Sequence, residues 1–120
     1  MSKTIYVDVD GTICTNHSLK NVNPEEFKDI QSDYENAEPH RERIDYINSL
    51  HEKGNKIIYW TARGIKSGID FKEFTKNQLK EWGAKYYGLD IGNKPHFDMY
   101  ICDKSYNCES FFHYRQRELP

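Results

Sequence analysis

The stretch TIYVDVDGTICT, residues 4–15, decides the fold. Ile5, Tyr6 and Val7 are β-branched or aromatic, and the sequence predicts a short strand over residues 3–9. That strand runs straight into Asp8 and Asp10, with Val9 between them and Gly11 and Thr12 after them. Two carboxylates at the end of a buried strand resist joint ionisation, and loss of water adds to the cost. A chain that places them there must supply counter-charge. Positions i and i+2 of an extended strand face the same side, so the spacing aims both acids at one place.

Working outward, Pro39 suits a first helical turn, Ile44, Ile47 and Leu50 recur at helical spacing, and Gly54 is a stop. These predict a helix over 39–53. KIIYW, residues 56–60, reads as a buried strand, and TARGIKSG after it as a loop. Asp70 and Glu73 have capping-box spacing. Phe71, Phe74, Leu79 and Trp82 give the next helix its apolar face, and Gly83 ends it. KYYGL (85–89) and FDMYIC (97–102) read as third and fourth strands, and Phe111, Phe112 and Tyr114 as a closing helix or turn. Residues 16–37 are polar, with turn formers at Asn21, Asn23 and Pro24, and predict a loop with one helical turn near 25–30. Alternating strands and helices predict an α/β fold: a Rossmann-like, mostly parallel sheet with helices on both faces. The whole chain, 1–120, reads as one domain with a short flap around 13–38.

Bulk properties exclude several function classes. Charged residues are 30% of the chain, yet the net charge is −2, which gives no electrostatic ground for nucleic acid or an anionic membrane as partner. No apolar run approaches the roughly 20 residues that span a bilayer, and the N-terminus has no cleavable apolar segment. Cys14, Cys102 and Cys108 are widely spaced and form no CxxC, so neither a disulfide framework nor a zinc site is expected. Cys14 reads as a buried, inert thiol, and the expected compartment is the reducing cytoplasm.

Ligands of an open parallel sheet bind beyond the carboxyl ends of its strands. Here those ends would carry Asp8 and Asp10, Thr61, Lys94 and Asp103. Three carboxylates and one ammonium leave a deficit that one divalent cation would fill. Oxygen ligands favour a hard ion, and Mg²⁺, content with few carboxylates plus water and phosphate, is expected. Such a site is a phosphate site.

DVDGT (8–12), YWTARG (59–64), Lys94 and YICDKSYN (100–107) resemble, in order, the four motifs of the haloacid dehalogenase-like superfamily. KIIYWTARG, QLKEWG and KPHFDMYICDK are more narrowly similar to small phosphatases of capsule and lipopolysaccharide sugar biosynthesis. The resemblance implies a Mg²⁺-dependent phosphatase working through an aspartyl-phosphate. Asp8 would be nucleophile, and Asp10 general acid and then base. Gly11 would turn the backbone so that amides face the phosphate. Thr61, Ala62, Arg63 and Lys94 would hold the substrate. Asp8, Asp103 and the Asp10 carbonyl would hold the metal. The second acid favours ester hydrolysis over carbon–halogen chemistry.

Cys102 and Asn107 depart from that pattern, where relatives often carry acids. Residues 13–38 and 64–93 leave no room for a full cap domain, so the site is expected to be open. The resemblance favours a phosphosugar or related small metabolite as substrate. His96, beside Lys94, reads as a surface residue. Oligomeric state is open, a homo-oligomer included. Three alternatives compete: a nucleotide or polynucleotide-end phosphatase of the same superfamily, a non-catalytic phosphate- or metal-binding protein, and a phospho-accepting receiver. The receiver fits least, because its acids would be adjacent and Val9 splits these.

Overall fold

A computed structural model of the chain describes residues 2–15, 30–95 and 97–115. The helical turn expected near 25–30 falls almost wholly outside the described residues, and so does His96. Three parallel strands form one sheet: β1 (Thr4–Asp8), β2 (Lys56–Thr61) and β3 (Gly88–Ile91), in the order β1-β2-β3. Thr4 is level with Lys56 and Asp8 with Trp60; on the other side of β2, Ile58 meets Gly88 and Thr61 meets Ile91. The helices are α1 (Ile30–Glu35), α2 (Arg41–Glu52), α3 (Lys72–Glu81) and α4 (Cys108–Ser110), the last running into a π-helical turn at Phe111–Arg115. The α/β class and the parallel sheet are therefore as the sequence predicts.

The core lies between the sheet and α2 and α3. Val7, Ile57 and Tyr59 pack with Ile44, Ile47 and Leu50 of α2 and with Leu79 and Trp82 at the end of α3. Both crossovers move along the sheet in the same direction. Right-handed connections that do so put both helices on one face. The opposite face carries Tyr6, Ile58 and Trp60, with Tyr6 54% exposed and its ring edge-on to Trp60 at 5.6 Å. The layer expected there is not supplied by α2 or α3.

Three local expectations are corrected. The third strand starts at Gly88 rather than Lys85. The capping box does not form: Asp70 accepts from the Lys72 amide (3.0 Å), while Glu73 reaches Lys76 instead. Most consequentially, residues 97–102 form no strand. Met99 and Ile101 are 75% and 88% exposed. An apolar run becomes a strand only where an edge receives it, and here β1, the edge strand, pairs with β2 alone among the described strands. Asn107, which stands where the resembled family often carries an acid, is the cap of α4, its Oδ1 accepting from the amides of Glu109 and Ser110.

Candidate active site

The DVDGT segment is a tight turn built on a buried anchor. Val9 is fully buried, and its carbonyl accepts from the amides of both Thr12 (3.1 Å) and Ile13 (3.0 Å). Gly11 adopts φ 83°, a left-handed conformation that glycine takes without strain, and its amide donates to the Cys14 carbonyl. The expected sharp turn is present, but the Gly11 amide is spent on the turn itself. Arg43 braces the loop by donating to the Thr12 carbonyl (3.0 Å) while pairing with Glu109 of α4 (2.9 Å). The Cys108 thiol lies 3.5 Å from the Gly11 carbonyl.

The turn hands the two acids to different cations. Asp8 Oδ1 accepts from Lys94 Nζ at 2.9 Å, across 86 residues of sequence. Among the described residues, its Oδ2 is held only by the Thr12 hydroxyl, at 3.4 Å. The Asp8 side chain is 44% exposed, whereas Lys94 is 14% exposed and its ammonium lies 5.2 Å from the Trp60 ring centroid. Asp8 is thus an accessible carboxylate backed by a largely buried ammonium.

Asp10 has a different partner. The Arg63 guanidinium grips it with a fork, Nε to Oδ2 at 3.0 Å and Nη2 to Oδ1 at 2.8 Å. Arg63 Nη1 donates to Gln78 Oε1 (2.8 Å) and Thr75 Oγ1 (3.2 Å), and the guanidinium lies 4.4 Å over the Tyr34 ring. Burial disfavours the charged guanidinium, but the hydrogen bond and charge of Asp10 outweigh it and hold the Arg63 pKa above its ordinary value. The Arg63 side chain, expected to contact substrate, has no exposed surface here and touches Asp10 from inside the fold.

Cys14 is fully buried, with its sulfur 3.6 Å from Asp10 Oδ1. Burial, reinforced by the Asp10 charge, pushes its pKa up to about 12, so the inert reading holds. Thr61 ends β2 as expected, but it is 1% exposed, and its hydroxyl accepts from the Arg63 amide at 3.2 Å. It alternates with Trp60, which is level with Asp8, and so shares the covered face with Ile57 and Tyr59. Ala62 opens the following turn, its carbonyl accepting from the Ile65 amide. The structure therefore unites Asp8 with Lys94 and Asp10 with Arg63, and turns Thr61 inward.

Asp103 does not join them. With no strand over 97–102 to carry it to the sheet edge, it is exposed in a loop beside Cys102. Among the described residues, no three of His, Cys, Asp and Glu converge as a metal site. With Asp103 outside the cluster, Asp8 and Asp10 each have a cation of their own, so its departure and the Arg63 charge together close the deficit that called for Mg²⁺. This donor set does not fit the expected ion.

The residues that hold Arg63 were not singled out from sequence. Thr75 and Gln78 are buried on the same face of α3 as Leu79. Polar residues inside an apolar stripe signal a buried polar partner, and that signal was available.

No family model and no curated protein matches the chain. A crystal structure of a target protein from Vibrio cholerae is similar over 97% of this chain and 92% of that one, with a TM-score of 0.75 and 22% identity. That likeness shows the fold. No helix among the described residues is long and apolar enough to cross a membrane.

Proposed function

We propose that the chain is a phosphatase that hydrolyses phosphate monoesters through Asp8. The observation that carries this is the Lys94–Asp8 pair at the carboxyl end of β1, with the ammonium largely buried and the carboxylate open. An anionic nucleophile must approach an anionic phosphate, so catalysis depends on alignment and nearby positive charge. Lys94 provides that charge, and Oδ2, the loosely held oxygen, has the free approach.

In the first half-reaction a bond forms from Asp8 to phosphorus as the ester P–O bond breaks, and a proton from Asp10 goes to the leaving oxygen. In the second, water attacks phosphorus, its proton returns to Asp10, and the Asp8 carboxylate leaves. The Asp10 side chain is 20% exposed, enough for exchange with groups lying over the turn. The resemblance to haloacid dehalogenase-like phosphatases supports the same roles, while the Mg²⁺ it implies finds no fitting donor set among the described residues. It also favours a phosphosugar or related metabolite as substrate. Three free cysteines suit a reducing compartment.

The test is phosphate release from 4-nitrophenyl phosphate and a phosphosugar panel, with Mg²⁺ and with chelator. Turnover by the wild type supports the reading. The placement of Asp103 favours one competitor, a non-catalytic phosphate-binding protein. Phosphate binding with no release from any substrate, with or without Mg²⁺, would establish that competitor.

A further inference from the structure

We propose that Arg63 is a positioning residue that fixes the direction of the Asp10 carboxylate; the proposal rests on the phosphatase reading. A buried guanidinium is costly unless its donors are satisfied. Here Nε, Nη1 and Nη2 make four hydrogen bonds, two of them to Asp10. One bond would leave the carboxylate free to rotate; a two-point fork fixes its plane. The fork is itself immobilised. Gln78 Nε2 donates to the Tyr34 carbonyl at 2.6 Å, the Tyr34 ring lies under the guanidinium, and Phe71 meets that ring edge-on at 5.0 Å. The direction of Asp10 is therefore set by α1 and α3, whereas Asp8 is held by Lys94 and Thr12. Arginine only donates and cannot take the proton itself, and the carboxylate oxygens keep further lone pairs for the proton they exchange.

Proton delivery matters most where the leaving group is basic. An alkoxide needs it; 4-nitrophenolate does not. The experiment compares kcat/KM for an alkyl phosphate and for 4-nitrophenyl phosphate in wild type, Arg63→Gln, Arg63→Lys and Asp10→Asn. Arg63→Gln is expected to lower the alkyl value about 100-fold and the aryl value only about threefold, the scale of a misdirected general acid. Arg63→Lys falls between, and adding Arg63→Gln to Asp10→Asn changes the alkyl-to-aryl ratio no further. Gln78→Met, which keeps both charges and loosens the fork, moves the ratio the same way and serves where Arg63→Gln does not fold. Equal losses on both substrates, or losses that multiply in the double variant, overturn the proposal alone. A wild type with no turnover of either substrate overturns the phosphatase reading, and this proposal with it.

Discussion

Replacing Lys94 by Met separates a catalytic lysine from a solvated one. Methionine keeps the apolar stem beside the Trp60 ring and removes the charge 2.9 Å from Asp8. At that distance the gross attraction is about 6 kcal/mol for an effective dielectric near 20. Most of it is offset, because Asp8 is 44% exposed and stays hydrated without its partner. Exposed ion pairs contribute about 0.2–1 kcal/mol and hydrogen bonds to charged groups about 1.5–3, so a net loss of about 1 kcal/mol is expected. With an unfolding entropy of about 2.1 cal/mol/K per residue and 120 residues, that lowers Tm by about 4 °C. Activity should suffer far more. Loss of one preorganised charged donor costs about 3 kcal/mol in the transition state, a drop of about 100-fold or more in kcat/KM. Thermal melts and steady-state kinetics on the same preparation check both numbers. An unchanged Tm with unchanged kcat/KM would make Lys94 a surface lysine. A lowered Tm with unchanged kcat/KM would make it a structural strut, and either result refutes the reasoning.

Two further outcomes are expected. Gly64→Ala forces a side chain onto a φ of 88° and drives its Cβ into the Ile69 carbonyl oxygen, beside Arg63; a loss of at least about 2 kcal/mol is expected from the urea midpoint. Native-state alkylation near pH 8 should modify Cys102 well before Cys14. A hydrogen bond from Tyr100 lowers the Cys102 pKa, whereas burial keeps the Cys14 thiol protonated, and peptide mass spectrometry gives the order.

The elements whose signal is local were legible in the sequence. Ile44, Ile47 and Leu50 at helical spacing, and KIIYW between turn formers, carry their own periodicity, and α2 and β2 lie within a residue or two of expectation. FDMYIC has an equally apolar composition, yet a strand also needs a free edge in register, which composition does not encode. The site divides in the same way. Asp8, Asp10 and Lys94 sit at strand ends, where topology alone places them. Arg63 follows Thr61 in a loop, and a loop arginine beside two acids reads as a ligand contact. Its inward course is set by Thr75, Gln78 and Tyr34, which lie 12, 15 and 29 positions away in sequence. The inward turn of Thr61 follows from strand alternation once Asp8 is level with Trp60, a register that only pairing reveals.

The most direct test of the central claim is to trap the intermediate. Wild type and Asp8→Asn are mixed with 4-nitrophenyl phosphate, quenched in acid within the first turnover, and digested for mass spectrometry. The account predicts a hydroxylamine-labile phosphoryl group on the Asp8 peptide of the wild type and none in Asp8→Asn, which also releases no phosphate. Turnover by the wild type with no phosphoryl group on Asp8, or undiminished turnover by Asp8→Asn, would contradict it.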